Sequence, residues 1–242
     1  MRKGIFVFLQ FIFILLLFTC KKQPGTQVFY LNTNILGVRQ GSAVKFYATG
    51  NGQSWKYLPK RDFACTKDCA DVFYLGGNFI GASEGKLVKF YKTNKGGTWK
   101  YNTGTDFTCP GSFEGIFTFD DGRSVGVWKG NTIGFYQTNP QGTWAKSTVS
   151  DFVGTNRIDG AFFLLNYTIG VQEGRTVKLY TYNGPQGWVY KPGSDFTSPG
   201  DADQIFYLNT SAIGVLKNRN VKFYKINEQG RWDYQADGDF NF

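Results

Sequence analysis

The chain has 242 residues and a formal net charge of +9, with 41% hydrophobic and 18% aromatic residues and no histidine. That length suffices for one large all-β domain, and the missing imidazole excludes Ser-His-Asp, Cys-His and histidine-zinc chemistry. The positive charge favours anionic partners such as acidic glycans or lipid headgroups, while lysines dispersed in nothing longer than basic pairs argue against nucleic acid.

Arg2 and Lys3 precede an apolar run from Ile5 to Thr19 that only Gln10 interrupts. This is the layout of a secretory signal, and the run is shorter than the ~20 residues a spanning helix needs. Its end, Leu17-Phe18-Thr19-Cys20, resembles a bacterial lipobox, with Thr19 where that motif prefers Ala, Gly or Ser. The resemblance implies a signal peptide at 1–19, an acylated Cys20 and a lipidated tether at 20–27. Acyl chains supply membrane affinity by themselves. The expected location is the bacterial cell envelope, in the outer membrane, because Lys21 is not the Asp that retains lipoproteins in the inner one. An ordinary signal peptide cleaved nearby, with Cys20 incidental, is the alternative.

From Val28 the chain repeats, in copies spanning about 28–71, 72–115, 116–160, 161–204 and 205–242. Each copy predicts four antiparallel strands. In chain order within a copy these are "VFYL" or a relative, a run centred on Ile-Gly-Val, "VKFY" or a relative, and a strand opening at Trp. β-branched and aromatic residues suit such pleated, half-buried runs, and Gly, Asn and Gln between them supply turns. Trp55, Trp99, Trp144, Trp188 and Trp232 are spaced 44, 45, 44 and 44. The Asp-Phe pairs opening at Asp62, Asp106, Asp151, Asp195 and Asp239 keep that spacing, as do Gly37, Gly81, Gly126, Gly170 and Gly214.

A four-stranded unit of ~44 residues is the size of a propeller blade. One such sheet cannot bury both faces alone, so the reading is a five-bladed β-propeller, monomeric. A β-trefoil has three repeats, and a solenoid needs no fixed closure. Both ends of the repeat region fall on blade boundaries, which leaves the closure of the ring open.

Cys65, Cys69 and Cys109 remain after Cys20. An exported compartment permits a disulfide, and the expectation is one structural disulfide plus a leftover thiol, with the pairing open. Three thiols lack a fourth ligand for zinc, and no metal or cofactor is expected.

The repeated polar and aromatic residues are candidate carbohydrate contacts. A Trp offers a flat apolar face and an N–H donor. The Asp seven residues later is expected at the end of strand four, accepting backbone N–H groups or sugar hydroxyls. Asn94, Asn139, Asn183 and Asn227 lie five residues before their Trp, and Gly50 with Asn51 takes that place in the first copy. Asn tolerates left-handed turn geometry and offers both donor and acceptor. Lys45, Lys89, Lys178 and Lys222 precede the Phe-Tyr or Leu-Tyr pair, with Gly134 in the third copy. Their stems are expected to pack on aromatics, and a ring of such lysines would attract anionic glycans.

The third copy, "FTFDDGRSVGVWKGNTIGFY", resembles the tachylectin-2 type of repeat, and the layout extends over all five copies. That family is a five-bladed propeller lectin. The resemblance implies recognition of N-acetylated amino sugars, one per blade gap, between one blade's Asp-Phe segment and the next blade's loop before Trp. The loop before the fourth strand is shorter here than in the family. A second segment, Asn94-Lys95-Gly96-Gly97-Thr98-Trp99, is similar to a sialidase Asp-box with Asn in place of Asp. That box is a structural turn. The arginines of the repeat region fall at varied places in the copies, without the cluster a sialidase-like glycosidase needs, which leaves that activity a remote alternative. The expected function is non-enzymatic, multivalent carbohydrate binding. The rival is a protein-interaction scaffold or adhesin at the cell surface.

Overall fold

The computed structural model describes residues 25–242 except 33, 51–53, 66–68, 77–78, 95, 120–122, 165 and 210. The signal segment, Cys20 and the start of the tether lie outside the described residues, as does Asn51. The fold is all-β, with five antiparallel sheets, one per repeat, and no α-helix among the described residues.

The first blade sets the pattern. Strands β1 (Gln27–Asn32), β2 (Ile35–Gln40) and β3 (Ala43–Ala48) form a meander. The expected fourth strand is present in two pieces, β4 (Lys56–Tyr57) and β5 (Phe63–Ala64), which both pair with β3. The other four blades repeat this, with Trp99–Tyr101 and Phe107–Thr108 as the two pieces in the second. The Asp of each Asp-Phe therefore does not end strand four. It sits just before the second piece, at the close of the loop that interrupts the strand.

Alternation along β3 buries Val44 and Phe46 and leaves Lys45 outside, the period-two consequence of the pleat. The recurring glycine has a packing cause. In every blade it pairs across the first two strands with a phenylalanine: Phe29 with Gly37, Phe73 with Gly81, Phe117 with Gly126, Phe162 with Gly170 and Phe206 with Gly214. The ring lies over the glycine, and a Cβ there would collide with the ring edge.

The core sits between blades. Phe46 and Phe63 of the first blade pack with Val72 and Ile80 of the second, and three further clusters repeat that arrangement round the ring. The last cluster joins Val28 and Leu36 of the first blade to Phe206, Phe223 and Phe240 of the fifth. Side chains such as Phe46 and Leu36 are fully buried, each worth ~1.5–3 kcal/mol against exposure.

Among the described residues no strand is exchanged between first and last blades. Closure instead uses the Gln204 side chain, which accepts from the Val28 N–H and donates to the Val28 carbonyl, both at 2.8 Å. The amide replaces the hydrogen bonds that a buried backbone edge would otherwise lack.

Candidate functional site: the seams between blades

The loop that splits each fourth strand meets the next blade's tryptophan. Trp99 donates its indole N–H to the Arg61 carbonyl at 2.8 Å, Trp144 to Thr105 at 2.8 Å, Trp188 to Ser150 at 2.8 Å and Trp232 to Ser194 at 3.2 Å. Trp55 completes the ring by donating to Gly238 at 3.1 Å. Each acceptor immediately precedes the Asp of Asp-Phe. The candidate Trp and Asp residues are thus brought together in pairs across seams, as Trp99 with Asp62 and Trp55 with Asp239.

The indoles are partly buried and their N–H groups are committed to backbone. Trp99 stacks on Phe46 with centroids 5.5 Å apart, Trp144 on Phe90 at 5.6 Å, Trp188 on Phe135 at 5.1 Å and Trp55 on Phe223 at 5.9 Å. Leu179 holds that place beneath Trp232, which instead meets Phe196 edge-on.

The aspartates are bound within their own blade. Tyr57 donates to Asp62, Tyr101 to Asp106, Tyr190 to Asp195 and Tyr234 to Asp239. These hydrogen bonds push Tyr57 and Tyr234 up to about 12, and raise Tyr101 and Tyr190 in the same sense. The second carboxylate oxygen of Asp106, Asp195 and Asp239 is buried without a hydrogen-bond partner. In the third blade Lys146 stands in the tyrosine's place and pairs with Asp151 at 2.6 Å.

That blade also carries Gly134 where the others have lysine. A Cβ on Gly134 would come within 3.0 Å of the Lys146 ammonium. The cation is thus supplied from strand four rather than strand three, and it lies 4.7 Å from the Tyr136 ring centre. Elsewhere Lys45 lies over Tyr57 and Lys222 over Tyr234, at 5.6 and 5.4 Å. Lys89 and Lys178 are bridged to Glu84 and Glu173, at 2.7 and 2.8 Å.

The candidate asparagines hold the hairpins. The Oδ1 atoms of Asn94, Asn139 and Asn227 each accept two backbone N–H groups, from Gly96 and Thr98, Gln141 and Thr143, and Gln229 and Arg231. Asn183 instead donates to Gln186 at 2.7 Å. The left-handed residues in these loops are the glycines at 97, 142, 184, 187 and 230, not the asparagines; the Asn side chain mimics a turn instead. Gly97 also permits a close approach across the seam, since a Cβ there would lie 2.9 Å from the Lys60 carbonyl. Where the gap was expected, backbone therefore packs closely against the neighbouring blade's loop.

The residues that sequence reasoning missed are Tyr57, Tyr101, Tyr190 and Tyr234. They are 40–45% exposed, and they present a ring beside the Asp at four of the five seams. Their signal was in the sequence: Tyr two residues after Trp and five before Asp, in four of five copies.

A separate cavity of about 830 Å3 lies around the axis, between the first strands of all five blades, with Tyr30, Tyr74, Trp128 and Gln172 among its walls. Here the copies diverge. Of the corresponding positions on the second strands, Arg39, Trp128 and Gln172 line the cavity, while the other two blades carry Ser83 and Leu216 there.

The molecule is a five-bladed propeller with equivalent seams and an individual axis. No family model and no curated protein matches the chain. Among solved structures it is similar to a functionally unknown protein from Desulfotomaculum acetoxidans, at 16% identity and a TM-score of 0.51, over 86% of this chain and 70% of that one. It is also similar to a protein from Lactobacillus plantarum, at 11% identity and a TM-score of 0.47, over 84% and 67%. Hsv2 from Kluyveromyces marxianus is 12% identical with a TM-score of 0.49, over 90% and 98%. Likeness at this level concerns the fold alone.

Proposed function

We propose that this protein is a non-enzymatic, lipid-anchored propeller of the bacterial outer membrane that binds carbohydrate multivalently along its seams, with N-acetylated amino sugars as the first class to test. What carries the reading is the repetition of one exposed group. A Tyr ring with its hydroxyl on an Asp, next to the following blade's Trp, recurs at four seams, and Lys146 with Asp151 takes its place at the fifth. Aromatic faces stack on the C–H patches of sugars, and the neighbouring carboxylate and lysine address hydroxyls. One shallow site of this kind binds weakly, and several at fixed spacing on one surface bind together with much higher avidity.

The decisive experiment is a glycan array with the full chain, competed with free N-acetylglucosamine. Replacing Tyr57, Tyr101, Tyr190 and Tyr234 by Ala one after another is expected to reduce retention on a sugar-bearing surface stepwise. Silence across the array, or binding unaffected by all four replacements, overturns the reading. A scaffold for one protein partner is the second reading, favoured by the divergent side chains around the axial cavity. A single partner recovered by pull-down, and lost on replacing Trp128, would support it.

A further inference from the structure

The disulfide expected from the sequence is not formed in this structure: Cys65, Cys69 and Cys109 are all buried free thiols, and two of them, Cys65 and Cys69, sit at a single blade junction. Cys65 follows the last strand piece of the first blade, and Cys69 opens the first strand of the second. Both are buried in the cluster those two blades share, with Phe63, Val72 and Ile80. The Cys65 thiol donates to the Ser42 carbonyl at 3.4 Å and the Cys69 thiol to the Asp71 carbonyl at 3.6 Å, and the two thiols lie close enough to shift each other's titration. The backbone holds each in place: the Cys65 N–H donates to the Ser42 carbonyl at 2.9 Å, and the Cys69 carbonyl accepts from the Arg39 guanidinium at 2.9 Å.

The repeat gives an internal comparison. The same two places hold Cys109 with Phe113, Gly154 with Ile158, and Ser198 with Ala202 at the next three junctions. Cys109 therefore stands opposite a phenylalanine, in the cluster of the second and third blades. Only the first junction has sulfur on both sides.

We propose that Cys65 and Cys69 form a disulfide in the exported protein, leaving Cys109 as the free thiol. The co-reactant is a disulfide-bearing oxidant of the exported compartment. The Cys65 thiolate attacks one sulfur of that disulfide and expels the other as a thiolate, giving a mixed disulfide. Cys69 then loses its proton and attacks the Cys65 sulfur, which releases the oxidant's second thiol. Two protons and two electrons leave the pair, and the oxidant emerges as a dithiol. Cys65 is suited to the first attack: its interaction with Cys69, aided by Arg39, lowers its pKa, while the same interaction and burial raise that of Cys69. A thiolate is the attacking species. The product joins the end of one blade covalently to the start of the next.

The test uses the full chain exported from its host, quenched in acid, alkylated and digested with trypsin without reduction. Cleavage after Lys67 separates the two cysteines. The expected result is a disulfide-linked pair of peptides, 62–67 with 68–86, while Cys109 carries the alkyl label. The link is expected to survive Cys109→Ser and to disappear on reduction, which frees two thiols per chain. Labelling of both Cys65 and Cys69 in the unreduced protein, or a link from either one to Cys109, overturns the proposal.

Discussion

The indole N–H of Trp55 meets the Gly238 carbonyl at 3.1 Å, across 183 residues of sequence. It is the same bond that the other four tryptophans make to the preceding blade, and here it joins the first blade to the last. A repeated local device thus becomes a closure device because the chain comes round on itself. Trp55→Phe keeps an aromatic ring against Phe223 and Phe240 but loses the donor. The expected cost is ~1 kcal/mol, read as a lower urea midpoint. Trp144→Phe should cost a similar amount. Only Trp55→Phe should speed proteolysis of the fifth blade, because only it loosens the join between the ends. Equal proteolysis of the two variants would count against this role.

The second closure contact is stricter. Gln204 satisfies both the N–H and the carbonyl of Val28. Gln204→Leu strands both, at ~1–3 kcal/mol for each buried group left unsatisfied. Gln204→Glu keeps the acceptor and regains a donor only when protonated. Facing the Val28 carbonyl raises its folded pKa, so its deficit should shrink as pH falls from neutral towards the ordinary carboxylate value and be gone below it, and unfolding midpoints over that span measure it. A deficit independent of pH would mean that the donor half of the contact contributes nothing.

The glycine on the second strand is the clearest test of blade packing. Gly81→Ala drives a methyl into the Phe73 ring, with an expected cost of ~1–3 kcal/mol from overpacking. Phe73→Leu alone opens space and is also destabilising. Because the two side chains contend for one volume, the double variant should be more stable than the sum of the single losses predicts. Denaturant titration of the four proteins gives the coupling, and simple additivity would remove steric contact as the reason for the recurring glycine.

Blade number and strand count were legible because Trp, Gly and Asp-Phe recur in one register, and a register shared by three markers fixes the repeat whatever the details. The break in strand four was not legible. Both pieces pair with the same neighbour, so local pattern cannot separate a strand carrying a five-residue excursion from one strand followed by a turn. Closure was hidden for a different reason: Gln204 and Val28 are 176 residues apart, and nothing local to either marks the other. At the seam, Trp and Asp were read as neighbours and are so. The Tyr at the second place after Trp went unread because Lys146 breaks the series in the third blade. Only the geometry relates that change to Gly134, since the lysine lost from one strand reappears on the next.

The Tyr–Asp bonds make stability depend on alkaline pH. Bonding to Asp62 and Asp239 pushes the Tyr57 and Tyr234 phenols up to about 12 from their ordinary 10.0, and Tyr101 and Tyr190 rise for the same reason. A group that holds its proton more tightly when folded adds stability that is complete below its unfolded pKa. That stability is lost as pH rises through the folded value. The window here runs from about pH 10 to about 12. Unfolding midpoints of the parent should therefore fall across it more steeply than those of a variant with Tyr57, Tyr101, Tyr190 and Tyr234 changed to Phe, which keeps the rings and removes the ionisation. Parallel curves would show that the phenol–carboxylate bonds do not brace the interrupted strands. The same variant separates bracing from recognition: if sugar binding at neutral pH survives the loss of the hydroxyls, the ligand uses the ring faces, and if binding goes with them, the Asp is part of the contact.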